Sequence, residues 1–203
     1  IPIARGLKSS SAAGNAIALA TIAALNKNLD DLTIVNLGVD GAIDARVTIT
    51  GAFDDACASY FGGIVITDNM KRRMVKRLEI AESLTVLFQV PAKKIYTVGS
   101  DVHRMKGMAS LVKIAYKEAL KGNHWAALTL NGLIYSSALG YDPSVAVDAL
   151  LAGALAAGLS GTGPAVTAIV PDEKKDLVKD AWQAYEGDIL ETRINHMKAK
   201  VVG

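Results

Sequence analysis

Residues 2–12, Pro2-Ile3-Ala4-Arg5-Gly6-Leu7-Lys8-Ser9-Ser10-Ser11-Ala12, set a glycine, a lysine and three successive hydroxyls before an alanine-rich stretch. Glycine lets the backbone approach a ligand closely. A helix that follows turns unpaired N–H groups and its positive dipole end back on the same loop. The combination reads as an anion site with phosphate as the anion, and Lys8 adds a full positive charge. The string is not a Walker loop, because Leu7 stands between Gly6 and Lys8 where that motif needs Gly-Lys-Ser/Thr. Serine caps alone also account for a helix start, but one side chain satisfies one or two N–H groups, so three serines exceed what capping needs.

Two further glycine-rich points could carry chemistry. In Thr48-Ile49-Thr50-Gly51-Ala52-Phe53-Asp54-Asp55-Ala56-Cys57, adjacent carboxylates open a helix. Their interaction with the helix dipole, about 0.3–1 kcal/mol each at a surface, is a sufficient structural reason for them. The chemical alternative is that one stays ionised and accepts a hydroxyl proton, a role open even to a weak base in a loose phosphoryl-transfer transition state. In Gly158-Leu159-Ser160-Gly161-Thr162-Gly163-Pro164, expected between a helix and a strand, three glycines and two hydroxyls form a backbone able to fold around a transferring phosphoryl group. An ordinary turn is the plain alternative. Cys57, without a histidine in its motif, reads as helix packing, and Trp125 and Trp182 as core residues.

The elements that must position these points alternate along the chain. Ser11 to Asn26 has helical spacing, with serines to cap its start; Leu32–Leu37 and Arg46–Thr50 have the β-branched character of strands. Ala52–Phe61 reads as a helix closed by Gly62-Gly63, and Ile64–Thr67 as a strand. The basic residues Lys71, Arg72, Arg73, Lys76 and Arg77 lack interleaved aromatics and read as solvated surface. A strand over Ser83–Val90 stops at Pro91, and helices follow near Asp101–Leu120 and Asn123–Leu139. Asp142-Pro143 opens a helix running to Gly158. Ala165–Val170 reads as a strand, Asp172 as the cap of a helix with an apolar stripe from Leu177 to Tyr185, and Ile189–Ile194 as a last strand. This mixture predicts an α+β fold with helices on one face of antiparallel strands.

Composition narrows the classes. Of 203 residues, 51% are hydrophobic and 21% charged, which excludes intrinsic disorder. A net charge of +2 gives no electrostatic grip on nucleic acid. One cysteine forms no internal disulfide, and His103, His124 and His196 make no zinc pattern. The apolar runs are too short for a bilayer, so no membrane partner is expected, and a soluble protein of the reducing cytoplasm is. Ile1-Pro2-Ile3 opens without a methionine directly ahead of the motif, so a chain incomplete at its N-terminus is expected.

Taken in order, the three points resemble the GHMP kinases, whose phosphate-binding pattern Pro2, Gly6, Leu7, Ser9, Ser10 and Ala12 match. The strings RGLKSSSA, TGAFDDACASYFGG and GLSGTGPA are similar to the archaeal type of shikimate kinase within that superfamily. The resemblance implies a GHMP-kinase-like two-domain architecture. Residues 1–82 would be the end of the ATP-binding domain, with a ribosomal-protein-like fold, and 83–203 an α/β-plait-like C-terminal domain. It implies ATP and Mg²⁺ as cofactors, and shikimate as the small-molecule partner phosphorylated at a hydroxyl. Gly6, Leu7, Lys8, Ser9, Ser10, Ser11 and Ala12 would hold the ATP phosphates, with Ser10 also helping to hold Mg²⁺. In the family the catalytic aspartate precedes a Gly-Gly pair by seven residues, so the resemblance implies Asp55, seven before Gly62, as the catalytic base, with Lys8 as the second catalytic residue. Eleven residues further back, Asp44 takes the place of the acidic metal ligand. Gly161, Thr162 and Gly163 would line the phosphoryl group and acceptor, and Arg104, with Arg5 next, would face the acceptor's carboxylate. A further N-terminal segment would complete the first domain. A GHMP kinase for homoserine, mevalonate or another small alcohol, and a non-catalytic nucleotide-binding sensor, are the alternative readings.

Overall fold

A computed structural model describes residues 1–48, 50–80, 83–92 and 102–202. The chain divides into two compact units, one of Ile1, Lys8–Ala81 and Asn195–Gly203, the other of Pro2–Leu7 and Glu82–Ile194.

The first unit holds helices α1 (Ser9–Ala24), α2 (Asp31–Asp44) and α3 (Phe53–Phe61) and strands β1 (Ile64–Asp68) and β2 (Arg73–Leu78). The strands pair antiparallel, with a register shift between Ile66 and Thr67. The serines do not cap α1: its N-cap is Lys8, in the left-handed region at φ 61°, with no capping side chain. All three hydroxyls therefore sit inside the first turn. The strand expected over Leu32–Leu37 is part of α2. Asp30 caps that helix, accepting from the Thr33 amide at 3.0 Å, and Ile34, Val35, Gly38 and Val39 bury one helical face. Capping and a 3.6-residue apolar period outweigh the weak strand preference of a short β-branched run. No strand forms at Val47, Thr48 or Thr50; Ile49 lies outside the described residues. Phe53, Ala56, Cys57 and Tyr60 of α3 join the α2 face to make the core of the unit. Gly14 and Gly38 let α1 and α2 touch backbone to backbone, since a Cβ on Gly14 would lie 3.0 Å from the Gly38 carbonyl oxygen.

The second unit contains β3 (Leu84–Val90), α4 (Val102–Gly107), α5 (Ala109–Lys121), α6 (His124–Leu139), α7 (Ser144–Leu151), β4 (Ala156–Leu159), β5 (Val166–Pro171), α8 (Lys175–Trp182) and β6 (Asp188–Arg193). Among the described residues its sheet has the order β4-β5-β3-β6, antiparallel throughout. The core is Leu87, Ala157, Val166, Ala168 and Val170 of the sheet against Ala146, Ala149, Val178 and Trp182. Trp182 is fully buried, and its indole N–H donates to the Val145 carbonyl at 2.8 Å.

Two expectations fail in this unit. The helix opened by Pro143 ends at Leu151, and Ala156–Leu159 is a strand, so the loop at 160–165 joins two antiparallel strands. Alanine and glycine stand in this strand because the backbone of α6 presses onto it: a Cβ on Gly132 would lie 2.5 Å from the Gly158 Cα. Small side chains demanded by packing read as helix propensity in the sequence. Asp172 caps no helix either. Its carboxylate accepts from Thr85 Oγ1 at 2.7 Å, Ser83 Oγ at 3.0 Å and Arg193 Nη1 at 2.6 Å. These bonds, with that of Arg193 foremost, hold it down at about 2. The Asp101 start of the helix now seen from Val102 lies outside the described residues.

Candidate active site

In the first unit the structure brings Lys8 and Asp55 together. Asp55 stands in the first turn of α3, which begins after Ala52 in the left-handed region and has no capping side chain. The Lys8 ammonium lies 2.8 Å from each oxygen of the Asp55 carboxylate. The Lys8 and Asp55 side chains are 31% and 21% exposed, so the pair is sheltered yet reachable. Burial pushes the Asp55 carboxyl above the usual carboxylate value; Lys8 opposes that rise and the neighbouring Asp54 charge adds to it. The adjacent carboxylates are thereby separated in role. Asp54 points to Asn69, accepting its amide N–H at 2.8 Å, and Asp55 faces the lysine.

Alpha-helical spacing builds the support under this pair. Ser11 and Asn15, one turn apart on α1, are both buried. The Asn15 amide donates to the Ala56 carbonyl at 2.8 Å and to Ser59 Oγ at 2.7 Å, pinning α3 to α1 within a turn of Asp55. Asn15 carried no role in the sequence reading; a lone amide inside an alanine-rich helix was the available signal. Ser9 is half-buried and Ser10 exposed, so hydroxyls of different accessibility crowd the α1 N-terminus. Cys57 is fully buried and its thiol is pushed up to about 12 by burial, as a packing residue would be.

In the second unit the first and third glycine-rich points meet. Gly6, at φ 82°, packs so closely that a Cβ would lie 2.7 Å from the Gly163 carbonyl oxygen and 2.9 Å from that of Ser160. The Ser160 hydroxyl donates to the Gly6 carbonyl at 2.7 Å, and the Ala165 N–H donates to the Arg5 carbonyl at 3.1 Å. Leu159 and Tyr141 wall Gly163, and the Tyr141 hydroxyl donates to the Thr162 carbonyl at 3.2 Å. The bend is a fixed backbone surface, with Gly161 and Gly163 both at positive φ.

The remaining candidates are Arg5, Arg104 and Asp44. Arg5 donates from its guanidinium to the Pro91 carbonyl. Arg104 is exposed on α4 and makes a long 3.4 Å contact with the Ser137 carbonyl. Asp44 ends α2, exposed, with no hydrogen bond or ion pair to its side chain among the described residues. No group of three His, Cys, Asp or Glu side chains that could hold a metal occurs among the described residues. Among them, too, no helix is long and apolar enough to cross a membrane.

Comparison with known proteins shows the family. The family model for the GHMP kinases N terminal domain matches residues 1–63, and that for the GHMP kinases C terminal matches 144–187. A shikimate kinase of Methanothermobacter thermautotrophicus is 45% identical over 207 residues, covering 100% of this chain and 71% of the relative. One of Methanosarcina acetivorans is 48% identical over 201 residues, covering 98% of this chain and 68% of the relative. A homoserine kinase structure from Cytophaga hutchinsonii superposes with a TM-score of 0.66 at 20% identity, covering 97% of this chain and 68% of that one. The mevalonate kinase of Methanococcus jannaschii gives a TM-score of 0.65 at 18% identity, with 96% and 66% covered. The chain belongs to the GHMP kinases, in the branch formed by these archaeal shikimate kinases.

Proposed function

We propose that this chain transfers the γ-phosphoryl group of ATP to a hydroxyl of shikimate, in the cytoplasm. The observation that carries the reading is the Lys8–Asp55 pair at the head of α1. Asp55 orients the acceptor hydroxyl by accepting its hydrogen bond and takes its proton onto the carboxylate as the O–P bond forms. A carboxyl raised by burial holds that proton better than an exposed one does. Lys8 keeps the carboxylate ionised before the transfer and offsets phosphate charge. The first-turn amides of α1, unpaired within the helix, hold phosphate oxygens. In the second unit, the Gly161, Thr162 and Gly163 backbone, fixed against Gly6, is assigned to the phosphoryl and acceptor groups.

Hard cations of the magnesium class take oxygen ligands and are held by one or two carboxylates plus substrate phosphates. Ser10 and Asp44 are exposed oxygen donors whose side chains make no hydrogen bond among the described residues, so the donor set fits. Mg²⁺ held there would supply charge neutralisation at the β- and γ-phosphates. The division into a portion of the ATP-binding domain, 1–82, and a C-terminal domain, 83–203, belongs to the same proposal.

The test is ADP release with shikimate, homoserine and mevalonate as acceptors, using the chain within the full length its relatives span. Turnover dependent on shikimate is expected. Turnover only with another alcohol reassigns the acceptor, and tight ATP binding without turnover on any acceptor makes the protein a sensor.

A further inference from the structure

The helix that carries Asp55 is nine residues long, and its far end is held by groups that take no part in the reaction described above. The last carbonyls of a helix lack partners within it. Here they find them outside. The Tyr60 carbonyl accepts the Ala199 N–H at 2.7 Å, and the Phe61 and Gly62 carbonyls both accept from Arg77 Nε at 3.2 Å. The same guanidinium reaches the C-terminal tail, where Nη2 donates to the His196 carbonyl at 2.8 Å. Its Nη1 pairs with Glu79 at 2.9 Å. The Gly63 N–H donates to the Asn195 carbonyl at 2.7 Å.

This crossing accounts for the Gly62-Gly63 pair. A Cβ on Gly62 would lie 2.5 Å from the Asn195 carbonyl oxygen, and one on Gly63 2.4 Å from that of Leu78. Both residues have positive φ. Further along the tail, Lys198 pairs with Asp31 at 2.9 Å, and Asp31 accepts the Tyr60 hydroxyl at 3.0 Å. One arginine on β2 and the stretch of tail beside it thus tie down a helix too short to be stable alone. At its other end, that helix presents Asp55 to Lys8.

We propose that Arg77 is a positioning residue for the reaction and that, with the tail Asn195–Ala199, it sets the axial register of α3 and so the place of the Asp55 carboxylate. The inference rests on the reading of Asp55 as the base. A shift of about 1 Å along the helix axis is enough to misplace a reacting group, at a cost on the order of 10²-fold in rate. The sequence sets Arg77 in a run of solvated charges; in the fold it collects three carbonyls.

Arg77→Met, Arg77→Lys and Ala199→Pro in the full-length protein test this, the last deleting the N–H that donates to the Tyr60 carbonyl. Measured together are kcat and KM for both substrates, the thermal midpoint, and hydrogen exchange of α3 and α1 amides. Arg77→Met is expected to lower kcat by about 10- to 10²-fold with both KM values within about twofold. Exchange should quicken in α3 and not in α1. Arg77→Lys should recover part of the rate, and Ala199→Pro should show the same pattern more weakly. Unchanged kcat in Arg77→Met overturns the proposal. So does a loss in all three variants that follows a falling midpoint, with α1 and α3 exchange rising together, because that is a general stabiliser. A wild-type protein without shikimate-dependent turnover removes the proposed activity instead, and the exchange comparison still decides whether Arg77 governs α3.

Discussion

Lys8 and Asp55, separated by 47 positions in sequence, meet so that one ammonium bridges both carboxylate oxygens at 2.8 Å. Neither residue has ordinary surroundings. Lys8 holds a left-handed backbone at φ 61°, which costs a residue with a side chain about 1–2 kcal/mol. Asp55 sits where burial opposes its charge. Strain of this kind persists only where the surroundings enforce it, and here the starts of α1 and α3 hold the two residues in place.

Asp55→Asn removes the proposed proton acceptor and keeps the shape. The expected result is a fall in kcat of about 10²–10⁴-fold, the usual loss for a general base, with ATP binding retained. Circular dichroism establishes that the variant is folded. Turnover near the wild-type level in a folded variant takes Asp55 out of the mechanism.

The pH dependence follows from the direction of the Asp55 shift. A base must be ionised, and its carboxyl is raised above 3.8, so the acid limb of the rate profile should fall off above the ordinary aspartate value. Stability moves the other way in that window. The folded state binds the Asp55 proton more tightly than the unfolded one, so this group destabilises the fold as pH rises through the raised value. Asp172, lowered from 3.8 to about 2 chiefly by Arg193, contributes stability that is complete above about 3.8 and is lost as pH falls through 2. Denaturant titrations of Asp172→Asn and wild type should therefore differ at pH 6 and converge towards pH 2.

Replacing Lys8 separates charge from backbone. Lys8→Gly relieves the left-handed strain while deleting the ammonium, and Lys8→Met deletes the ammonium and keeps the strain. Both should lose about 10²-fold in kcat, comparable to losing one electrostatic contact to the reacting group. Both should also move the acid limb to higher pH, since the cation that opposes the rise of Asp55 is gone. Thermal unfolding should rank Lys8→Gly about 1 kcal/mol above Lys8→Met. Equal rates for Lys8→Gly and wild type would reduce Lys8 to a backbone role.

Much of this arrangement was visible in residue order. The glycine–serine string, the Asp54-Asp55 helix start and the Gly158–Pro164 bend each stood out, and the family resemblance followed from their succession. Where reading failed, the cause was physical and specific. The Thr33-Ile34-Val35 run suggested a strand because β-branched residues favour one, although Asp30 and the buried period of 34, 35, 38 and 39 encode a helix. The alanines of β4 suggested a helix because nothing local reveals that Gly132 packs on Gly158. Arg77 looked like one more surface charge, because its three carbonyl partners come from Phe61 and Gly62 at the end of α3 and from His196. Contacts of long sequence separation are the part no local pattern carries.

Gly6→Ala tests whether the first loop depends on the bend it packs against. The added methyl would meet the Gly163 and Ser160 carbonyl oxygens at 2.7 and 2.9 Å, both backbone atoms, and φ at Gly6 is 82°, which alanine resists. Neither conflict is relieved by rotating a side chain. Overpacking alone costs about 1–3 kcal/mol, and the left-handed backbone adds to it. Gly41→Ala is the control: it lies within α2, has nothing within 4 Å of its would-be Cβ and gains helix propensity, so its stability should hold or rise by up to about 1 kcal/mol. A marked fall in the thermal midpoint and in ATP affinity for Gly6→Ala, against none for Gly41→Ala, is the expected pair of results. A Gly6→Ala protein as stable as wild type would mean that the 160–163 loop yields to the intruding methyl, and that its close fit to Gly6 does not fix the loop.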